Sequence, residues 1–124
     1  MGQTLQTLKR LESLRMLMLF EAATFIVAAL IHSGALIIGY AHDKARIAES
    51  VIAIVLLGSV VSTWIWPAWG RRAAMAGQGF ALLLTLIGVF TIIVGVGPRT
   101  VPDIVYHVAI VAVLVWGLII AKRP

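Results

Sequence analysis

Four long apolar runs constrain the fold of this chain more than any other feature of its sequence. Each run has about 20 residues or more, and a helix rises about 1.5 Å per residue, so each run can cross the roughly 30 Å hydrocarbon core of a bilayer. Backbone groups in lipid must be satisfied internally, and the runs lack the alternation of barrel strands, so helices are predicted. The predicted spans are residues 16–40, 47–66, 73–96 and 101–121.

Composition agrees with a membrane protein. Of the 124 residues, 61% are hydrophobic and only 12% are charged. A soluble chain of this length has no core large enough for so much apolar surface, so the excess must face lipid. The connections between the runs are short, which forces neighbouring helices to run antiparallel. We therefore predict an all-α fold with a single domain, residues 1–124, that forms an integral membrane four-helix up-down bundle.

The basic residues predict how the bundle sits in the membrane. Cytoplasmic loops are rich in Lys and Arg, so the side with more of them is predicted to be inside. The N-terminus and the C-terminus are therefore both cytoplasmic, and the expected location is a plasma membrane such as the bacterial inner membrane. The net charge of +5 lies in clusters at the ends of apolar runs, which indicates contact with lipid headgroups rather than with nucleic acid. The residues predicted inside are Lys9, Arg10, Arg15, Arg71, Arg72, Lys122 and Arg123, and those predicted outside are Lys44, Arg46 and Arg99.

The residues before the first run have a pattern of their own. Leucines recur at every third position among polar residues, which predicts a short amphipathic N-terminal arm on the inner leaflet. A helical continuation of the first span into the cytoplasm explains the pattern equally well. The leucines are Leu5, Leu8, Leu11 and Leu14.

The starts of two helices can also be predicted. Thr100 is followed by Pro102 and Asp103, which is the pattern of an N-terminal cap with proline in the first turn and an acid three residues after the cap. Asp43 is expected to cap the second helix in the same way.

Few ionisable residues lie within the apolar runs, and each is a candidate functional residue. A charge at mid-bilayer costs about 2.5–3.5 kcal/mol, so such residues usually face the bundle interior. His32 is expected roughly 12 Å below the outer end of the first helix at Tyr40. His107 is expected roughly 10 Å below Thr100, and Glu49 roughly 9 Å below the start of the second helix. The three residues therefore lie at similar depth and are predicted to converge near the outer face.

Two kinds of cofactor suit these residue types. His32, Glu49 and His107 together form a ligand set for Zn²⁺, Fe²⁺ or Mn²⁺. The two histidines alone could be the axial ligands of a b-type haem. Asp103 precedes His107 by one turn and is expected to hold its imidazole, with Tyr106 as a further neighbour of the site. The leading hypothesis is a protein that binds a metal ion or haem b near the outer face, for redox chemistry or metal handling.

Glu21 is a separate case. It shares a face of the first helix with His32, eleven residues later, which would suit a proton path across the membrane. The simpler interpretation is an ion pair or hydrogen bond at the inner end, with Arg71, Arg72 or Gln78 as the partner.

The sequence is also compatible with other classes of function. The chain has no cysteine, which excludes disulfides, thiolate metal sites and covalently attached haem. It carries no recognisable catalytic motif, so the sequence does not decide whether it is an enzyme. Small residues at four-residue spacing, as at Ala73, Gly77 and Ala81, suit an accessory or structural subunit of a larger membrane complex. They suit a homo-oligomer equally well, and a small oligomeric proton-coupled transporter is the third hypothesis.

Overall fold

The computed structural model describes residues 1–124 as four long helices without a strand. The predicted all-helical fold is therefore confirmed. Because all four helices are long and apolar enough to cross a membrane, the chain is a multi-pass membrane protein. The helices are α1 (Gly2–His32), α2 (Asp43–Ile65), α3 (Gly70–Ile93) and α4 (Val101–Lys122), with a short 3₁₀ turn, Pro67–Trp69, between α2 and α3.

Each helix packs on the next one along the chain, and α4 returns to contact α1 more loosely. The connections 33–42 and 94–100 lie at one end of the bundle, which is called the distal end below. The chain termini and the Pro67–Trp69 turn lie at the other end, called the terminal end. There the guanidinium of Arg10 donates to the carbonyl oxygens of Arg123 and Pro124, which fastens α1 to the end of α4.

Small residues allow the helices to approach closely in the core. Gly77 of α3 packs on Ser59 of α2, and a Cβ at Gly77 would lie 2.8 Å from the Cβ of Ser59. Gly117 of α4 likewise packs on the side-chain amide of Gln78. Larger side chains fill the remaining space between the helices, whereas many others point outward, as expected of a lipid-facing surface. The largest fully buried apolar side chains are Leu14, Met18, Leu56, Val60 and Leu114.

The first helix begins and ends earlier than the sequence predicted. It is continuous from Gly2, so the leucine-patterned arm forms its first turns, as the second interpretation of that pattern expected. The prediction that this helix continues to Tyr40 is wrong, because α1 ends at His32. Gly34 and Gly39 follow with φ of +80° and +93°, a left-handed conformation that favours glycine and ends a helix. His32 therefore lies at the distal end of α1 rather than well below it.

The helix caps agree with the sequence in one case and differ in the other. At α4 the predicted cap is confirmed, since the Thr100 N–H donates to Oδ2 of Asp103 at 3.0 Å and the Thr100 hydroxyl oxygen accepts from the Asp103 N–H. The prediction that Asp43 caps α2 is wrong. The cap is His42, whose Nδ1 accepts from the Ala45 N–H at 3.2 Å, because the backbone of His42 is extended while Asp43 is already helical.

Candidate functional site

One imidazole lies between two carboxylates at the distal end. Nδ1 of His32 lies 2.9 and 2.8 Å from the two carboxylate oxygens of Glu49. Nε2 of the same ring lies 3.1 Å from Oδ1 of Asp103. The three residues are buried, with exposed fractions of 4%, 5% and 7% for His32, Glu49 and Asp103. These side chains, called the triad below, come from α1, α2 and α4.

Local structure fixes the position of each triad residue. His32 ends α1, and its carbonyl oxygen accepts from the His42 N–H at 2.8 Å, so the start of α2 is held beside the end of α1. That contact brings Glu49, one to two turns into α2, to the level of the imidazole. Asp103 is held by the cap of α4, because its carboxylate also accepts from the backbone N–H and the hydroxyl of Thr100. Asp103 therefore takes part in the helix cap and also contacts the imidazole of His32.

Hydrogen-bond chemistry limits how many protons the triad can hold. A neutral imidazole has one N–H and one lone pair, whereas an imidazolium donates from both nitrogens. Both contacts of His32 are hydrogen bonds only if the ring is an imidazolium or if one carboxyl is protonated. Either distribution has one net negative charge, and one further proton makes the triad neutral. No Lys or Arg forms an ion pair with these side chains, since the only other ion pair in the chain joins Asp43 to Arg46.

Two cavities lie beside the triad, on opposite sides of the bundle. A cavity of about 540 Å³ between α2 and α3 has Glu49 in its wall, together with His107. A cavity of about 490 Å³ between α1 and α4 has His32 and Asp103 in its wall, together with Tyr106. The imidazole of His32 thus connects a carboxylate beside one cavity to a carboxylate beside the other.

The side chain of His107 forms no hydrogen bond with the three side chains of the triad. Its Nδ1 donates to the backbone carbonyl oxygen of Asp103, one turn earlier in α4, at 2.7 Å. Its Nε2 lies against α3 at Gly88, where an added Cβ would come within 3.3 Å of that nitrogen. The expected contact between the His107 ring and the Asp103 carboxylate is absent, because that carboxylate is directed at His32 and Thr100.

The predicted metal and haem sites receive no support from this arrangement. Both ring nitrogens of His32 already face carboxylate oxygens, so neither directs a free lone pair toward a metal ion. Of the two nitrogens of His107, one donates to the backbone. No group of three or more His, Asp or Glu side chains is arranged so that it could hold a metal ion. Metal or haem ligation by His32, Glu49 and His107 stays a prediction.

Glu21 lies at a distance from the triad and forms no ion pair. It is fully buried, and its Oε2 accepts from Nε2 of Gln78 at 2.6 Å. Of the three partners considered from the sequence, Gln78 is therefore the one in contact. Arg71 instead donates to a backbone carbonyl oxygen near the C-terminus, and Arg72 lies over the ring of Trp69 at 4.6 Å.

Two contacts of the site were missed by sequence reasoning. The first joins Asp103 to His32. Gly34, directly after Ser33, is typical of a helix C-terminus. A first helix that ends there would place His32 level with the start of α4. The second joins the hydroxyls of Thr24 and Tyr106, which lie 3.1 Å apart. No sequence signal indicates this contact, because hydropathy does not fix the rotation of a helix.

Comparisons of this chain with protein-family models, with curated proteins and with solved structures find no match. The chemistry of the site must therefore be inferred from its own residues. An imidazole hydrogen-bonded to two carboxyl groups can receive a proton at one nitrogen and release one at the other. Chains of acids and histidines inside membrane bundles are typical of proton relays in pumps and transporters.

Proposed function

We propose that this protein is a small proton-coupled membrane transporter in which the triad is the proton-binding site. The observation that carries this proposal is the buried imidazole of His32 with a carboxylate on each ring nitrogen. Ionisable side chains are expensive within a bundle of this kind and usually serve a function. Neutral or apolar groups could join three helices at lower cost, because taking charges out of water is itself unfavourable.

In the resting state both shared protons lie on His32, which makes it an imidazolium between two carboxylates. Hydrogen bonds between charged partners are roughly twice as strong as neutral ones, which favours this distribution. The 2.8 Å contact to Glu49 has the length of such a bond, and the 3.1 Å contact to Asp103 has the length of an ordinary N–H···O hydrogen bond.

A proton moves from one carboxyl group to the other through the ring. When Glu49 is protonated and His32 is neutral, the O–H bond of Glu49 breaks and an N–H bond forms at Nδ1. The N–H bond at Nε2 then breaks and an O–H bond forms on Asp103. The charge of the triad is unchanged, and one proton has passed from the side of the α2–α3 cavity to the side of the α1–α4 cavity.

The proposed orientation follows the charge distribution. The terminal end carries most of the basic residues and is proposed to face the cytoplasm of a cell bounded by a plasma membrane, such as the bacterial inner membrane. The triad then lies near the outer face. The transporter is proposed to work as an oligomer, because four helices of this length enclose little volume for a substrate.

Proton flux into liposomes tests the proposed function. Purified protein is reconstituted with a pH-sensitive dye inside, and a potassium diffusion potential draws protons inward. Wild-type protein is expected to carry protons faster than empty liposomes do, and His32→Gln to remove that excess. His42→Asn is the matched control, because asparagine keeps the helix cap and is expected to leave the flux unchanged. Wild-type flux no greater than that of empty liposomes would contradict the proposal.

A structural role is the second candidate, and one observation favours it. The first turns of α1 extend from the bundle with Leu5 and Leu8 about half exposed, a surface that suits contact with a larger membrane complex. In this alternative the triad only fastens three helices together. The His32→Gln variant would then still copurify with the partner in unchanged amount, and it would show no defect in proton movement.

A further inference from the structure

A second buried polar pair lies deeper in the bundle than the triad. Glu21 of α1 and Gln78 of α3 are both 0% exposed. At 1.5 Å per residue, Glu21 lies roughly 16 Å from the distal end of α1, near the middle of a bilayer core. Nε2 of Gln78 donates to Oε2 of Glu21 at 2.6 Å. The second carboxyl oxygen of Glu21, Oε1, and the amide oxygen of Gln78, Oε1, have no hydrogen-bond partner.

If Glu21 is ionised, two buried oxygen atoms of this pair have no hydrogen-bond donor. Each buried acceptor without a partner costs about 1–3 kcal/mol, and an unpaired buried charge costs more. No basic side chain forms an ion pair with Glu21. The nearby hydroxyl of Thr24 donates to the backbone carbonyl oxygen of Glu21 and not to its carboxyl group. The amide of Gln78 is therefore the single hydrogen-bond donor to this carboxyl group.

We propose that Glu21 is a second proton-binding site, which holds a proton on Oε1 and donates it to Oε1 of Gln78. A single proton then gives both unpartnered oxygens a hydrogen bond, because Oε1 of Glu21 becomes the donor and Oε1 of Gln78 becomes its acceptor. The product is a neutral acid–amide pair with two hydrogen bonds in a ring, one in each direction between α1 and α3.

The packing of α4 restricts the plane of the Gln78 amide. A Cβ at Gly117 would lie 2.8 Å from the Cδ, Nε2 and Oε1 atoms of Gln78, so the amide lies flat against the α4 backbone. Three helices thus build the site around one carboxyl group. The pair is separate from the triad, and its protonation does not depend on the proposed role of His32. Its function is to store an exchangeable proton at mid-membrane, on the face of α1 that also carries His32.

Infrared spectroscopy of the protein in lipid at neutral pH tests this inference. The carbonyl stretch of a protonated carboxylic acid is separate from the bands of ionised carboxylates and shifts in D₂O. We expect such a band in the wild type and its loss in Glu21→Gln, whereas the matched variant Glu49→Gln keeps it. Gln78→Leu should move the band to higher frequency, because the acid then loses its partner.

A wild-type spectrum without any D₂O-sensitive acid band overturns the inference without the need for a variant. A band that persists in Glu21→Gln, or one that is lost in Glu49→Gln instead, assigns the proton elsewhere. Glu21→Gln should also fold with nearly unchanged thermal stability, since two facing amides reproduce both hydrogen bonds. Loss of the proton flux in His32→Gln is a separate result and leaves this assignment unchanged.

Discussion

The carboxylate of Glu49 lies within 2.9 Å of Nδ1 of His32, although the two residues are 17 positions apart and belong to different helices. The contact joins the last residue of α1 to an early turn of α2, directly below the connection that reverses the chain. With Asp103 on the opposite nitrogen, both ring nitrogens face carboxyl groups, and the proposed proton exchange rests on this arrangement.

Replacement of His32 by alanine should destabilise the protein strongly. Two buried carboxylates would then lose their shared partner, and removal of one member of a buried charged set typically costs about 3–5 kcal/mol. The free energy of unfolding in mixed micelles measures the loss. His42→Asn serves as the control and should stay within about 0.5 kcal/mol of the wild type. A cost for His32→Ala no larger than that of the control would contradict the description of the triad.

A double-mutant cycle should show that His32 and Glu49 are coupled. The single variants His32→Ala and Glu49→Ala each leave a charged or polar partner unsatisfied, whereas the double variant removes both groups together. The double variant should therefore cost less than the sum of the single ones, by about 0.5–3 kcal/mol. The unfolding free energies of the wild type, the two single variants and the double variant give this coupling energy. Additive effects would show that the contact between His32 and Glu49 does not contribute to stability.

The packing of α3 on α2 should depend on the absence of a side chain at Gly77. A Cβ there would lie 2.8 Å from the Cβ of Ser59, and closer still to its hydroxyl oxygen, so Gly77→Ala should destabilise by about 1–3 kcal/mol. Gly79 lies on the same helix with nothing within 4 Å of an added Cβ, so Gly79→Ala is the matched control. It should be neutral or stabilising by up to about 1 kcal/mol. Equal effects of the two variants would contradict the packing described here.

The sequence predicts the number of helices well because the length of an apolar run is a direct physical requirement of the bilayer. The prediction fails at the end of α1, because the apolar residues Leu36, Ile37 and Ile38 belong to a loop. Their hydropathy extends the apolar run of the sequence beyond Gly34, where the helix has already ended. The depth expected for His32 depended on that end, and His32 instead lies at the last turn of α1.

The composition of the site could be predicted only in part. His32 and Glu49 were expected to converge, and they are in contact. Asp103 was assigned to His107 because the two lie one turn apart on α4, but the cap at Thr100 directs its carboxylate toward α1. Hydropathy does not determine how each helix is rotated about its axis, so side-chain partners on different helices are beyond what a single sequence specifies.

Arg15 forms two hydrogen bonds with one residue of α2 at the terminal end. Its Nε donates to the hydroxyl of buried Thr63 and its Nη2 to the carbonyl oxygen of the same residue, both at 2.8 Å. Lysine lacks the planar fork that makes both bonds, so Arg15→Lys should cost about 1–3 kcal/mol of unfolding free energy. Arg46→Lys is the control, since Arg46 pairs with Asp43 on the exposed surface and should change little. Equal effects of the two substitutions would contradict this role.

The proposed orientation can be tested by labelling, because the chain has no cysteine of its own. Ile38 is 96% exposed in the distal connection, and Thr4 is exposed in the first turn of α1. A membrane-impermeant maleimide applied to intact cells should label Ile38→Cys, and should label Thr4→Cys only after permeabilisation. The reverse pattern would place the termini outside.

The ¹⁵N NMR signals of the His32 ring in lipid bilayers give the most direct measurement of its proton content. The signals of His32 are assigned by comparison with the His32→Gln variant, and His107 serves as an internal reference because its Nδ1 donates to a carbonyl oxygen. We expect both ring nitrogens of His32 to be protonated and hydrogen-bonded in the resting protein. A neutral His32 ring in which one nitrogen has neither a proton nor a hydrogen bond would contradict the proposal that the triad binds protons.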